Sequence, residues 1–166
     1  MCDYSKQLYH FDSTVKQMTS IPNTPAEVLA WLQRSHDVHD SLQVTDFHKV
    51  YSQNAQVKFA NYPITVGLDA IKEAFVPTFD QLTYMKHTTR HADKVGDRIW
   101  LAVDITYRVK DDLEHEDINV PASGLVTLVT EGGDAGKIKR FEVFIDQTPV
   151  RQRIEAVNNK RLVLSQ

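Results

Sequence analysis

The chain has 166 residues, 42% of them hydrophobic and 25% charged, with a formal net charge of −3. That length and apolar content suit one globular domain with a substantial core, without extended disorder. No run of Lys and Arg gathers on one face and no stretch approaches the roughly 20 apolar residues that span a bilayer, so neither a nucleic-acid nor a membrane partner is expected. The single cysteine, Cys2, permits neither an intrachain disulfide nor a thiolate metal site. A soluble cytoplasmic protein is the expectation. Residues 1–23 lack an apolar core segment and read as an N-terminal extension.

Thr24-Pro25-Ala26-Glu27 opens the first helix. Thr24 can accept from a free N–H, Pro25 has no N–H to lose, and Glu27 can reach back to complete a capping box. Val28, Leu29, Trp31, Leu32 and Leu42 form the apolar stripe of this helix. At about 100° per residue, His39 falls near the centre of the stripe, His36 within it, Asp40 on its edge and Asp37 towards solvent. Asp46 to Tyr51 reads as a short second helix with Phe47, Val50 and Tyr51 inward, and Ala55 to Phe59 as a brief strand. Gly67 to Val76 returns to helical spacing through Leu68, Ile71, Ala74 and Phe75, with Pro77 as its stop.

From Leu82 the period changes to alternation. Four long strands are predicted over Leu82–Val95, Arg98–Val109, Ile118–Thr130 and Lys137–Ile145, joined by Gly96-Asp97, the acidic run Asp111–Asp117 and a glycine-rich turn at 131–136. The second strand alternates most cleanly. Ile99, Leu101, Val103, Ile105, Tyr107 and Val109 share one face, and Trp100, Ala102, Asp104, Thr106 and Arg108 the other. Helices followed by a strand meander predict an α+β fold, a curved antiparallel sheet wrapped over helices and enclosing a pocket. The apolar character of the Trp100 face predicts a homo-oligomer, most simply a dimer. Residues 24–150 then form the domain, and residues 151–166 a short terminal helix or tail.

Several chemistries are absent from the pattern. The chain has no G-x-G-x-x-G, no P-loop, no G-x-S-x-G and no cysteine placed as a nucleophile. His36 and Asp40 have the i,i+4 spacing that can pinch a divalent ion, with His39 adjacent, but no third ligand stands at a recognisable spacing, so no metal is expected. What remains is a set of ionisable groups on apolar faces. An aspartate bonded to one imidazole nitrogen fixes the tautomer and leaves the other nitrogen to move a proton.

The order helix, short helix, strand, the Val66-Gly67-Leu68-Asp69-Ala70-Ile71 helix start and four long strands ending in Lys137 to Asp146 resembles the nuclear transport factor 2-like superfamily, and more narrowly SnoaL-like domains. The resemblance covers about Ala26 to Val150. It implies a cone-shaped half-barrel with an internal cavity, and an isomerase, cyclase or dehydratase that needs no cofactor. Against the scytalone dehydratase pattern, Asp40 and His87 fall on an aspartate and a catalytic histidine, while His39 and Phe59 replace tyrosines. Against the ketosteroid isomerase pattern, Ser35 and Phe59 stand where its catalytic residues would be, which disfavours that chemistry. Asp146 matches the acid/base aspartate of SnoaL-type cyclases, without the histidine on the preceding strand.

The expected catalytic residues are therefore Asp40, His87 and Asp146, with His36, His39, Phe59 and Tyr107 lining a site for a hydrophobic polyketide- or terpenoid-type intermediate. Each has a plainer reading: His39 and Asp40 as a paired polar helix end, His87 as a half-buried strand residue, Tyr107 as core, and Asp146 as the cap of the turn Gln147-Thr148-Pro149 unless a bulge re-aims it. A non-catalytic small-molecule carrier or a protein-interaction module of the same fold is the competing function.

Overall fold

The structure, a computed structural model, describes residues 20–164. Most of the expected N-terminal extension, Cys2 included, lies outside the described residues. The chain folds in the order α1 (Pro25–Asp40), a 3-10 helix (Val44–Lys49), β1 (Tyr51–Phe59), β2 (Thr65–Val66), α2 (Leu68–Phe79), β3 (Leu82–Val95), β4 (Arg98–Val109), β5 (Ile118–Leu128), β6 (Ile138–Ile145) and α3 (Thr148–Leu164). The six strands form one curved, unclosed sheet in the order β2-β1-β6-β5-β4-β3. All neighbours are antiparallel except β1 and β6.

The capping box forms as the sequence requires: Glu27 N–H donates to Thr24 Oγ1 at 3.3 Å and Thr24 N–H to Glu27 Oε2 at 3.1 Å. Helix α1 buries Val28, Trp31, Leu32, Ser35, His36 and His39, while Asp37 and also Leu29 face outward. Trp31 is fully enclosed, and its indole N–H donates to the Gly136 carbonyl at 2.8 Å. That bond ties the helix to the turn before β6 and satisfies the only polar atom on the ring.

The structure departs from the expected elements at several points. The second helix is a single 3-10 segment that ends at Lys49, and Tyr51 begins β1. Burial along β1 departs from alternation because its pairing with β6 shifts register between Tyr51 and Gln56. Pro77 sits inside the last turn of α2, which runs on to the buried Phe79. A proline there removes one late hydrogen bond, and burial of Phe79 offsets the loss. Residues 151–164 take the helical one of the two expected alternatives, as most of the 17-residue α3, whose Val150, Ile154 and Val157 recur at helical spacing and join the core. The strand β2 has no counterpart in the expected elements.

Helix α3 is also held by charge. Arg153 reaches the Asp112 carboxylate at 2.6 and 2.9 Å and extends to Glu114 and Glu116 on the β4–β5 connection. The guanidinium holds the Asp112 carboxyl down at about 2. The acidic run therefore docks the C-terminal helix, a use of Asp112 that spacing alone does not disclose.

Candidate active site

Curvature of the sheet beneath α1 and α2 leaves a cavity of about 550 Å³, within the roughly 300–1,000 Å³ usual for small-molecule sites. The inward face of β4 supplies Leu101, Val103, Ile105 and Tyr107, and α2 supplies Phe75 and Phe79. Phe59 lines it from β1. Tyr62, Pro63 and Ile64 also line it and are exposed, which puts its mouth at the β1–β2 connection.

Three histidines converge on one wall. His36 and His39 lie on the buried face of α1, and His87 projects from β3. The registers His87 with Ile105, Met85 with Tyr107 and Thr89 with Val103 put these β3 residues on the face that β4 turns inward. A bulge between Thr89 and His91 then reverses the alternation. It turns His91 outward, opposite Ala102, and Ala92 inward, opposite Leu101. That one extra residue puts His91 on the opposite face from His87, which strict alternation would have shared.

Asp40, the last residue of α1, accepts from His87 Nδ1 at 2.5 Å and from the His87 backbone N–H at 3.1 and 3.2 Å. Its side chain is 10% exposed and that of His87 15%. Burial works against ionisation of Asp40, but the His87 ring and backbone donors, with the Lys86 ammonium 3.5 Å away, hold its carboxyl below the usual range. A carboxylate only accepts, so Nδ1 of His87 carries a proton and Nε2 is the nitrogen left to exchange one. That Nε2 has no hydrogen-bond partner among the described residues, and His87 lines the cavity.

The other two imidazoles are fixed. The His36 ring stacks on His87 with centroids 4.9 Å apart and planes 6° from parallel, and its Nε2 meets Thr89 Oγ1 at 3.0 Å. His39 donates from Nδ1 to the Ser35 carbonyl at 2.7 Å, so its Nε2 accepts from the Tyr51 hydroxyl at 2.9 Å. Burial, followed by the neighbouring His87, pushes His36 down to about 3 and His39 down to about 4, so both are neutral near pH 7. Burial raises the Tyr51 phenol well above its usual value. Burial and then Asp40 do the same to Tyr107.

Six of the seven expected site residues thus cluster. Asp40 pairs with His87, while His36, His39, Phe59, Tyr107 and His87 line the cavity. Asp146 does not join them: it is exposed, absent from the lining, and accepts the Thr148 N–H at 2.9 Å at the start of α3. No bulge re-aims it, so the turn-capping reading holds. His36 and Asp40 do not pinch a common point, because one turns to Thr89 and the other to His87. The sequence reading missed Tyr51, Ser35 and Thr89 as partners of the histidines. A buried imidazole needs a hydrogen-bond partner, but the assignment of Tyr51 to a helix removed the nearest phenol from view.

No family model matches the chain, and no curated protein matches it by sequence. Solved structures do match in fold. A Jannaschia sp. protein assigned as a SnoaL-like polyketide cyclase superposes with a TM-score of 0.64 at 14% identity, over 81% of this chain and 96% of the other. TerC, co-crystallised with polyporic acid, gives 0.58 at 18% identity over 76% and 97%. An Agrobacterium tumefaciens protein assigned as an isomerase of the SnoaL-like family gives 0.52 at 14% identity over 71% and 96%. Among the described residues no helix is long and apolar enough to cross a membrane. The curved sheet, the helices packed on it and these superpositions together give this chain the nuclear transport factor 2-like fold of SnoaL-like proteins.

Proposed function

We propose that the protein is a cofactor-independent isomerase, cyclase or dehydratase that moves a proton on a hydrophobic polyketide- or terpenoid-type intermediate held in the cavity. The observation that carries this reading is the pair Asp40–His87, with Nδ1–H committed to the carboxylate and Nε2 free on the cavity side. For an isomerisation, Nε2 takes a proton from the carbon beside a carbonyl. The C–H electron pair passes into an enolate, and Nε2–H returns the proton to another carbon. Asp40 stabilises the imidazolium formed in between, and the pair contributes on the order of 10²–10⁴-fold. In a dehydration the same Nε2–H protonates the departing hydroxyl.

Tyr107 stays protonated and donates to the oxygen on which charge develops. His39, bonded at both nitrogens, sets the wall and holds β1 to α1. A carrier lined by apolar groups alone has no use for a free imidazole nitrogen beside a buried carboxylate. The test is the metabolite that accumulates when the gene is deleted, incubated with the purified protein. Conversion to an isomeric, cyclised or dehydrated product by wild type and not by His87→Gln is expected. No conversion, or equal conversion by His87→Gln, overturns the proposal.

A further inference from the structure

The Asp40 carboxylate sets which edge of the His87 ring faces it, but one ring bond still lets the plane rock about that bond. What meets the face of the ring is a second imidazole. The His36 ring lies 6° from parallel with centroids 4.9 Å apart, the offset stack that flat rings prefer. His39, at 6.2 Å and tilted by 60°, gives no such flat support.

Matched spacing on two elements builds the stack. His36 and Asp40 are one turn apart on α1, about 6 Å along the helix, and Thr89 and His87 are two residues apart on β3, about 6.6 Å along the strand. The two pairs therefore meet side by side: Asp40 holds His87, and His36 Nε2 meets Thr89 Oγ1 at 3.0 Å. The second contact fastens His36 to the strand that carries His87, which fixes where the supporting ring lies. His36 is itself unsuited to proton transfer, because burial holds it neutral near pH 7 and its Nε2 is engaged by Thr89.

We infer that His36 is a positioning residue: its flat ring holds the plane of the His87 imidazole so that Nε2 stays aimed at the cavity, and Thr89 acts through it by fixing the His36 ring. This rests on His87 being the proton carrier proposed above. What residue 36 supplies is then a ring rather than a nitrogen. A reacting group displaced by about 1 Å forfeits on the order of 10²-fold in rate, so a restraint on rocking has a kinetic effect large enough to measure.

The test follows deuterium exchange into β-tetralone, catalysed by the full chain in D₂O at pH 7, and measures on the same proteins the ¹³C order parameter of the His87 Cε1–H bond. That order parameter reads ring rocking whether or not the ketone reacts. His36→Gln keeps a polar side chain without a ring; it is expected to lose about tenfold or more in kcat with KM within about twofold, and to lower the order parameter. His36→Phe restores a flat ring and is expected to recover most of both losses. Thr89→Val, a near-isosteric change suited to a strand, is expected to cost about threefold in kcat by itself and nothing further when combined with His36→Phe. Recovery by His36→Phe that is no better than His36→Gln, a His36→Gln protein that keeps the wild-type kcat or order parameter, or a Thr89→Val loss that persists beside His36→Phe overturns the inference. Wild type that exchanges no deuterium counts against the proposed function, and the order parameters then decide this inference: a drop in His36→Gln restored by His36→Phe supports it, and equal values in wild type and His36→Gln overturn it.

Discussion

Asp40 and His87 are 47 residues apart, yet one carboxylate binds both the ring and the backbone N–H of the same histidine. The double attachment fixes position and tautomer at once. The backbone bond locks Asp40 to β3, and the ring bond then has only one orientation left to the imidazole.

Asp40→Ala leaves two half-buried donors of His87 without an acceptor. Its predicted cost is about 1–3 kcal/mol in urea unfolding. In ¹⁵N spectra the His87 ring is predicted to be the Nδ1–H tautomer in wild type and a mixture in the variant. An unchanged tautomer would mean that the carboxylate does not orient the ring.

Stability is predicted to fall with acidification, beginning well above the carboxylate range. His36 and His39 titrate at about 3 and about 4 in the folded protein, against about 6.5 when unfolded. Below pH 6.5 the unfolded state therefore takes up protons that the folded state refuses, and stability drops by up to about 1.4 kcal/mol per pH unit for each histidine. The loss continues to about pH 4 for His39 and about pH 3 for His36. Asp40, held below its unfolded value, acts in the same direction at still lower pH. Urea midpoints between pH 7 and pH 4 check this, and His36→Phe, which keeps a ring against His87, is predicted to flatten the slope by about one proton. A slope that the variant leaves unchanged would contradict the assignment.

Gly124 makes room for an aromatic ring. A Cβ there would stand 2.8 Å from Phe141 Cε2 and 3.1 Å from Leu101 Cδ2. Gly124→Ala is predicted to cost about 1–3 kcal/mol through overpacking. Adding Phe141→Leu is predicted to recover most of that in a double-mutant cycle, and a strictly additive pair would show that the ring is not the obstacle.

On the outer face of the sheet Trp100 is 48% and Phe144 53% exposed, on strands that pair through Leu125 and Ser123. Burial of these rings against a second copy is the predicted use of that face. Sedimentation velocity at tens of micromolar is expected to show a dimer for wild type and a monomer for Trp100→Lys. A monomeric wild type would leave the face without that role.

The strand meander was legible because half-buried strands alternate. The boundaries of β3 and β4 fall where alternation begins and ends, and every inward residue of β4 is buried. Leu29 escaped the helical stripe because a stripe is only as wide as the element packed on it, and nothing among the described residues covers its outer edge. Irregularities were not legible. The extra residue at the β3 bulge and the register shift in β1 are set by pairing with other strands, so no local pattern announces them, and they decide where His91 and Tyr51 point. In the site, the helical wheel turned His36 and His39 inward correctly. The partnership of Asp40 with His87 came only through resemblance, since it joins a helix end to a strand that spacing cannot relate.

In the proposed function the Asp40–His87 pair moves a proton inside a hollow, largely apolar interior. The most direct test is deuterium incorporation into an enolisable ketone, β-tetralone, in D₂O at pH 7, followed by proton NMR with wild-type protein, His87→Gln and Asp40→Asn. Wild type is expected to accelerate exchange beside the carbonyl, and each variant to lose about 10²-fold or more of that acceleration. Exchange that proceeds equally fast with His87→Gln would contradict the proposed function.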